Sequence, residues 1–346
     1  MSKIAIITDT HGGVKSNLEY FHNHISKFYD FFHETLKKQN IKRVIHCGDI
    51  YDNRRNVNIL SVSSFNKMFV DKLSEKDIKT YYIVGNHDTY FKNTNEINTP
   101  DLIIKQSDNR RIYKSPCTID MDGVSIDLIP WINESNYESF TNMIKTSKSA
   151  IAFGHLEIEG FAMYKGFEAR AGMSPSIFQK YESVYSGHYH TKSTKGNITY
   201  LGAPYEITWS DYDDPRGFHI FDTETREMEF IQNPYTLFEK IVYDETKLNL
   251  DVEKYKGKVV KIVIINRKDF VLFDMFIDKL EKAGVAVIKI EEDLSDYTET
   301  YEDEVDPADT LNVLETYVKG LDIEEDEKTT VKTLLTEVYV EACNRE

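Results

Sequence analysis

The stretch that decides the fold is IAIITDTH, residues 4–11, in which the apolar run IAII is followed closely by Asp9 and His11. A short apolar run bounded by polar residues is typical of a buried β-strand. Asp9 and His11 lie two residues apart on an extended segment, so both side chains point to the same side. This pattern predicts a functional loop at the carboxyl end of a sheet strand.

Four further segments repeat this arrangement of an apolar run followed by metal-ligand side chains. They are RVIHC before Gly48-Asp49, YYIV before Gly85-Asn86-His87-Asp88, AIAF before Gly154-His155, and SVYS before Gly187-His188-Tyr189-His190. Such oxygen and nitrogen donors at strand ends indicate a two-metal site, in which cations about 3.5–4 Å apart activate a phosphate ester for attack by water. Gly48-Asp49 alone is commonplace and G-N-H-D at 85–88 is much more specific, but no single element decides the function; the five together predict a phosphoesterase centre.

Helix-like stretches lie between the first motifs. Apolar residues recur at helical spacing from Leu18 to Gln39, and again from Leu60 to Leu73. Residues 119–230 are richer in strand-like runs. The alternation of strands, loops and helices predicts a layered α/β fold with active loops at the carboxyl ends of strands.

A second unit is predicted to begin near Phe238. A strand at Lys258 to Ile265, a helix at Phe270 to Lys282 and a strand at Val285 to Ile290 form one β-α-β element. An acidic linker and two short helices follow, about Ala308 to Lys319 and Glu324 to Cys343. Helices this short are marginal alone, so we expect them to dock onto another surface.

Charge is distributed unevenly along the chain. The net charge is −16, and residues 291–346 contain 19 Asp or Glu against 4 Lys or Arg. That leaves 39 acidic and 38 basic residues in 1–290, a balance of −1. The acidic end favours a protein partner over nucleic acid, and the near-neutral remainder predicts a weak hold on DNA. No apolar stretch reaches the ~20 residues that a membrane helix needs, so we expect a soluble, cytoplasmic protein.

Several residues of types that often bind metals fall outside the motifs. Five histidines do so, and we predict surface or core roles for them: His22, His24, His33, His46 and His219. The three cysteines have no metal-like spacing, and Cys47 lies inside an apolar strand. We therefore expect Cys47 to pack in the core.

The ordered series D-x-H, G-D, G-N-H-D, G-H and G-H-x-H resembles the signature of the calcineurin-like metallophosphoesterases. Within that superfamily the chain is similar to the SbcD-type nuclease subunits of DNA double-strand-break repair, including the recombination endonuclease subunits of T-even-like phages. The narrower likeness rests on GDIYD at 48–52, IDLIPW at 126–131, YKG at 164–166, YSGHYH at 185–190 and DPRGF at 214–218. It covers residues 1–234 well and the remainder more loosely.

The resemblance implies a fold and a domain organisation. The fold would be α/β, a two-sheet α-β-β-α sandwich with a small β-α-β cap domain and C-terminal helices. The implied domains are a nuclease domain at 1–235, a DNA-capping domain at 236–290, an acidic linker at 291–307 and a helical ATPase-binding segment at 308–346.

The resemblance also implies roles for the motif residues. One Mn²⁺ would be held by Asp9, His11, Asp49 and His190, and a second by Asp49, Asn86, His155 and His188. Such donor sets accept Mn²⁺ well, and Mg²⁺ is possible. His87 would stabilise the transition state or protonate the leaving oxygen, oriented by Asp88. Asp52 stands where some members carry a histidine, and it stays outside the predicted catalytic set.

The function implied is a metal-dependent DNA nuclease, an exonuclease on double-stranded ends and an endonuclease on single strands or hairpins. The expected partners are DNA, an SbcC-like ATPase of the SMC family bound through the C-terminal helices, and a second copy of the chain; no membrane is expected. If the protein is phage-encoded, its place would be the host cytoplasm.

Three alternatives remain open at this point. One is a phosphatase or phosphodiesterase of small phosphoesters, which the five motifs permit although the C-terminal extension does not suggest it. The second is a non-catalytic tether for an ATPase, which retention of every ligand disfavours. The third is an RNA-processing enzyme, because the motifs do not distinguish RNA from DNA.

Overall fold

A computed structural model of the chain describes residues 3–15, 18–164, 167–247, 250–292, 318, 328–329 and 331–336. The chain divides into two compact units. The first comprises Met1–Ile241, Asn249–Lys261 and Phe270–Lys289, and the second comprises Val242–Leu248, Ile262–Asp269 and Ile290–Glu346. Every residue of the predicted metal site belongs to the first unit.

The described residues between Lys3 and Glu292 form seventeen strands and five α-helices. The strands are β1 Lys3–Ile7, β2 Arg43–His46, β3 Lys79–Ile83, β4 Arg110–Tyr113, β5 Cys117–Met121, β6 Val124–Ile129, β7 Ile151–His155, β8 Ala162–Tyr164, β9 Phe167–Glu168, β10 Ser183–Gly187, β11 Ser193–Lys195, β12 Ile198–Tyr200, β13 Gly217–Asp222, β14 Met228–Gln232, β15 Phe238–Asp244, β16 Val259–Asn266 and β17 Val287–Glu292. The helices are α1 Glu19–Lys38, α2 Ile59–Phe65, α3 Asp71–Glu75, α4 Tyr137–Thr146 and α5 Phe270–Lys282.

Two six-stranded sheets make up most of the first unit. The first sheet has the order β14-β13-β1-β2-β3-β4, and the second has the order β11-β12-β10-β7-β6-β5. β1, β2, β3 and β4 run parallel, as do β6, β7, β10 and β12. The motif-bearing strands are therefore central and parallel, which brings their carboxyl ends to one edge of each sheet.

The core clusters show four layers. In β1, Ile4 and Ile6 pack with residues of the second sheet, whereas Ala5 and Ile7 pack with the helices on the outer face. This alternation follows from the two-residue period of a strand whose two faces are both buried. On the far side of the second sheet, Phe140 of α4 joins another cluster. The predicted mixed α/β fold with two large sheets is confirmed.

The predicted helices of the first unit are present, with one difference. The pattern over Leu18 to Gln39 corresponds to α1, which begins and ends one residue inside those limits. The pattern over Leu60 to Leu73 is interrupted, because a π-helical turn at Asn66–Val70 separates α2 from α3. Tyr51 donates a hydrogen bond of 2.6 Å from its hydroxyl to Asn66 Oδ1 at the start of that turn.

The predicted β-α-β element corresponds to β16, α5 and β17, and a three-stranded sheet has the order β15-β16-β17. β17 continues to Glu292, two residues into the predicted linker. Most of residues 293–346 lie outside the described residues, and with them nearly all of the linker and of the first predicted C-terminal helix. Within the second predicted helix, residues 328–329 and 331–336 are described and are helical. The boundaries of the four predicted domains therefore stay predictions. Across the described part of the chain, no helix is both long enough and apolar enough to cross a membrane.

Candidate metal centre

The five motif segments converge where the carboxyl ends of the two sheets meet. Asp9 and His11 follow β1, Asp49 follows β2, and Asn86 follows β3, all from the first sheet. The second sheet contributes its imidazoles from the ends of β7 and β10: His155, His188 and His190. The sequence-predicted ligands are thus brought together, and each sheet supplies part of the set.

The backbone at four of these ligands is strained. Asp9, His11, Asp49 and His188 have φ values of 50°, 42°, 52° and 94°. Non-glycine residues rarely adopt positive φ, and each such residue costs on the order of 1–3 kcal/mol. Four in one cluster indicate that the surrounding fold holds these side chains in place at a cost in stability.

The glycines beside the ligands let the two sheets approach closely. Gly48 has φ +96°, and a Cβ there would lie 2.4 Å from His155 Nδ1 of the other sheet. A Cβ at Gly187 would lie 2.0 Å from Thr8 Oγ1. Any side chain at either position would displace a ligand or its neighbour, which explains why glycine recurs in the motifs.

One group of potential ligands consists of Asp9, His11 and His190. The Nε2 atoms of His11 and His190 lie 3.0 Å apart. Asp9 is fully buried, and both of its carboxylate oxygens accept hydrogen bonds of 3.1 Å from the His188 amide. Thr8 Oγ1 donates a further hydrogen bond of 2.7 Å to Asp9 Oδ2. The carboxylate is therefore fixed in orientation between the two sheets.

A second group consists of Asp49, His155 and His188, with Asn86 among them. His155 Nε2 lies 3.3 Å from Asp49 Oδ2 and 2.8 Å from Asn86 Oδ1. His188 Nδ1 lies 3.0 Å from the same Asn86 oxygen. Asp49 also has its Oδ2 3.9 Å from His11 Nε2. Asp49 thus lies between the two groups, as expected for a carboxylate that bridges two cations.

Carbonyl groups fix the tautomers of two rings. His155 Nδ1 lies 2.8 Å from the Cys47 carbonyl oxygen, and His87 Nδ1 lies 2.7 Å from the Asp52 carbonyl oxygen. Because a carbonyl only accepts, each Nδ1 carries a hydrogen, which leaves each Nε2 to offer a lone pair or to hold an exchangeable proton. This suits a metal ligand in His155 and a proton donor in His87.

The structure corrects the predicted partner of His87. Asp88 was expected to orient that ring, but its carboxylate is buried elsewhere: Oδ1 accepts from the amides of Ile50 and Tyr51, at 3.0 and 3.1 Å, and Oδ2 from Gly85 at 2.9 Å. Asp88 therefore ties the loop after β3 to the loop after β2. The His87 ring is held by the Asp52 carbonyl instead, while its amide donates to Asp49 Oδ1 at 2.8 Å.

Two further residues support the ligands in ways that the motifs did not indicate. Asp52 Oδ1 lies 3.2 Å from His11 Nδ1, the ring nitrogen opposite the one that faces His190. The Arg216 guanidinium donates to the His190 carbonyl and pairs with Asp211 at 2.7 Å. In the sequence, Asp52 is the second acid of GDIYD and Arg216 lies in DPRGF. Neither segment indicates which ligand these side chains contact.

The protonation of the imidazoles differs between neighbours. Burial lowers the pKa of His11, but the adjacent Asp52 and Asp49 carboxylates outweigh it and raise that pKa to about 9. Burial is likewise outweighed at His155, where Asp49 and Asp9 raise the pKa to about 9. For His188, burial and the charge of His155 lower the pKa to about 3. The metal-free cluster thus holds protons on two imidazoles at neutral pH.

The carboxylates are perturbed as well. Burial raises the pKa of Asp9. Burial also acts to raise the pKa of Asp49, but the charges of His155 and His87 outweigh it and hold the pKa well below its usual range. For Asp88, burial and the Asp49 charge raise the pKa to about 7. Strong perturbation of buried acids and bases in one cluster is typical of a functional site.

The donor set fits divalent cations. Carboxylate, amide and imidazole atoms converge there, and the facing Nε2 atoms of His11 and His190 offer lone pairs once both rings are neutral. The candidates for one cation are Asp9, His11 and His190, and for another Asp49, Asn86, His155 and His188. When bound, such cations supply charge stabilisation to a phosphate ester and activate water.

The residues predicted to lie outside the site do so, and His22 is exposed on α1. Cys47 is fully buried in the core between the sheets. His33 lies in α1 with Nε2 2.8 Å from the Met68 carbonyl oxygen, and His46 Nε2 lies 2.8 Å from Thr10 Oγ1. His24 and His219 are also buried. None of these four histidines belongs to a potential ligand group among the described residues.

Fold and site together define a metal-dependent phosphoesterase. The family model described as calcineurin-like phosphoesterase matches residues 2–211 of the chain. Exonuclease subunit 1 of Enterobacteria phage T4 is 34% identical over 343 residues, which cover 98% of this chain and 99% of the phage protein. The chain belongs to the calcineurin-like phosphoesterase family, whose members use divalent metals.

Solved structures with a similar fold include an archaeal phosphodiesterase, 15% identical with a TM-score of 0.34, covering 67% of this chain and 99% of that one. A dimetal phosphatase from Danio rerio is 10% identical with a TM-score of 0.42, covering 63% of this chain and 91% of that one. The family assignment does not depend on these distant likenesses.

Proposed function

We propose that the chain is a metal-dependent DNA nuclease that acts in recombination, replication and repair together with an SbcC-like ATPase. The observation that carries the proposal is the buried cluster of oxygen and nitrogen donors around Asp49, in a chain similar over nearly its whole length to a phage exonuclease subunit. We propose two Mn²⁺ ions as the cofactors, with Mg²⁺ as the alternative.

The residues of the chain have defined tasks in this proposal. The carboxylates of Asp9 and Asp49 and the imidazoles around them would bind the cations, and the bound cations would supply the positive charge that attracts the phosphodiester. His87 lies beside Asp49 with its Nδ1 hydrogen directed at the Asp52 carbonyl. Its Nε2 is then the atom that gives a proton to the leaving 3′-oxygen. Asp88 contributes by fixing the loop that carries His87.

The remaining domains are proposed to bring DNA and partners to the site. Residues 236–290 would cap the DNA, and residues 308–346 would bind the ATPase. Because residues 1–290 have a balance of only −1, the ATPase would supply most of the affinity for DNA. We also propose a homodimer, supported by apolar side chains on α2 such as Ile59 and Leu60, which are 87% and 63% exposed. The host cytoplasm is the proposed location.

The test is cleavage of an end-labelled duplex and a hairpin with Mn²⁺ or Mg²⁺, with and without the ATPase subunit and ATP. Wild type is expected to release nucleotides with Mn²⁺, and His87→Ala is expected to bind metal but lose cleavage. Hydrolysis of small phosphoesters without cleavage of any DNA would favour a phosphatase. Metal binding with no hydrolysis of either substrate would favour a tether for the ATPase.

The binding claim is tested separately, by measuring the affinity of the isolated chain for duplex at several salt concentrations. We expect weak binding that falls steeply as salt rises. Tight binding by the isolated chain at physiological salt would contradict the role given to the ATPase.

A further inference from the structure

A pocket of about 300 Å³ opens next to the metal centre in the first unit. Aromatic and apolar side chains form most of its walls: Trp131, Ile132, Tyr137 and Met173. Trp131 is shared with the metal centre, since its ring centroid lies 5.4 Å from that of His188 and 6.3 Å from that of His155. A ligand that occupies the pocket would therefore lie beside a group held at the metals.

The wall that carries Trp131 is fixed by its backbone. The Trp131 amide donates to the Val84 carbonyl at 2.8 Å. The Trp131 carbonyl accepts from the side-chain amides of Asn95 and Asn136, at 2.8 and 2.9 Å. The indole is thus positioned before any ligand arrives, as expected for a preformed binding site.

The part of the wall formed by Glu157, Gly172 and Met173 is also held by close backbone contacts. The Met173 amide donates to the Glu157 carbonyl at 2.8 Å, and the Glu159 amide donates to the Met173 carbonyl at 3.2 Å. Gly172 has φ +129°, and a Cβ there would lie 2.8 Å from the Glu157 carbonyl oxygen. Only glycine permits this close contact between the two backbone segments without strain. The contact fixes the backbone position of Glu157.

The charge of the pocket indicates what it accepts. Two carboxylates, Glu134 and Glu157, line it, and among the described residues no lysine, arginine or histidine does. Within the described part of the chain, neither carboxylate has a hydrogen bond or an ion pair, so their oxygens are available as acceptors. Such a pocket repels phosphate but suits a flat, neutral group that carries N–H donors.

We propose that this pocket receives the nucleobase of the nucleotide whose phosphate lies at the metal centre. The base contacts the Trp131 ring, and its exocyclic amino group donates to the Glu157 carboxylate. This inference rests on the proposed nuclease function and adds a base preference to it. Adenine, cytosine and guanine carry an exocyclic amino group, whereas thymine offers only one ring N–H, so thymine is the poorest ligand.

The first test uses the fluorescence of Trp131. The chain has two tryptophans, so Trp209→Phe leaves Trp131 as the only one. With Mn²⁺ present, we expect saturable quenching by dAMP, dCMP and dGMP, with dAMP binding about tenfold more tightly than dTMP, as expected for one hydrogen bond to a charged group. Deoxyribose 5-phosphate, which lacks a base, should quench weakly or not at all.

Glu157→Gln should reduce the ratio of dTMP to dAMP dissociation constants to near one. The matched control is Glu138→Gln, which alters an exposed carboxylate on α4 outside the pocket and should keep the ratio. Equal affinity for dAMP and dTMP, or no quenching by any nucleotide, would overturn the proposal. If Trp209→Phe does not fold, inhibition of the wild-type nuclease by dAMP and dTMP gives the same comparison.

The two proposals fail in different ways. If all four mononucleotides inhibit DNA cleavage equally, the proposed base pocket is contradicted and the proposed nuclease function is supported. If nucleotides quench Trp131 with a base preference but the protein cleaves no DNA, the pocket is supported and the nuclease function is contradicted.

Discussion

The two sheets contribute unlike halves of the metal centre. Loops of the first sheet supply all of the oxygen donors, namely Asp9, Asp49 and Asn86, with His11 beside them. The second sheet supplies only imidazoles. The halves are electrostatically dependent, because carboxylates of the first sheet raise the pKa of His155 in the second to about 9, against the effect of burial. A competent site therefore requires both sheets to be packed together.

The largest loss of activity should come from removing the charge of Asp49, which lies between the two ligand groups. Asp49 contacts the His87 amide and lies near His11 and His155, so Asp49→Asn disturbs both ligand groups. We expect activity to fall by more than about a hundredfold, since losses outside the ligand shell alone cost roughly 10–100-fold. Metal titration by calorimetry and the cleavage assay measure the change.

The matched control is Asp127→Asn in the second sheet. Asp127 is fully buried and accepts hydrogen bonds from the hydroxyls of Thr118, Ser147 and Tyr181, at 2.6, 2.8 and 2.7 Å, away from the metal centre. This variant should lower the melting temperature and retain metal-dependent activity below it. If Asp49→Asn did no more harm to activity than this control, the bridging role of Asp49 would be wrong.

A smaller effect is expected from Asp52, which supports a ligand within the first-sheet half. Asp52→Asn removes the charge 3.2 Å from His11 Nδ1 but keeps the carbonyl that holds His87. We expect a loss of roughly 10–100-fold in metal affinity or activity, as for other carboxylates that orient a metal-bound histidine. Asp120→Asn, at an exposed position of β5 whose side chain accepts from the Gly123 amide, should change neither. An unchanged Asp52→Asn variant would show that the contact is incidental.

The strands and helices were predictable because short stretches of sequence specify them. The runs before Asp9, Asp49, Asn86 and His155 specify strands by their own composition, and their parallel order brings the motifs to one edge. Contacts that cross from one loop to another were not predictable. Asp88 follows His87 in sequence, yet the tight turn directs its carboxylate to the loop after β2.

The same reason explains why Arg216 was not singled out. Its guanidinium contacts the His190 carbonyl and two acids, Asp211 and Asp214, and this arrangement exists only once the chain has folded around it. Side-chain geometry of this kind depends on packing between distant segments, whereas strand and helix patterns are already present in short stretches of sequence.

A pH dependence of metal binding should follow from the two raised pKa values. His11 and His155 both have pKa values of about 9, so below that pH protons compete with the cation for the same nitrogens. Affinity should rise as pH increases from 6 towards 9, by about tenfold per pH unit for each proton displaced. Calorimetry in buffers of different ionisation enthalpy would count the protons released. Affinity that stays flat over this range would show that neither imidazole holds a proton in the metal-free protein.

The smallest effect on the metal centre should come from a buried carboxylate, Glu206, that contacts none of the ligands. Burial raises the pKa of Glu206 to about 7, although its Oε2 accepts from the amides of Leu237 and Phe238 at 2.5 and 3.0 Å. The folded chain then holds this proton more tightly than the unfolded chain, whose value is 4.5. Stability from this group is therefore present below pH 4.5 and is lost as pH rises to about 7.

Glu206→Gln should remove this pH-dependent loss of stability, which is on the order of 2 kcal/mol. The Gln amide oxygen still accepts both N–H groups, and the side chain does not ionise. Melting temperatures from pH 5 to pH 8 should fall for wild type and for Glu138→Gln but less for Glu206→Gln. Metal affinity should keep the same pH dependence in all three, since Glu206 contacts no ligand. If Glu206→Gln altered the pH dependence of metal affinity, that dependence would not come only from the imidazoles where the sheets meet.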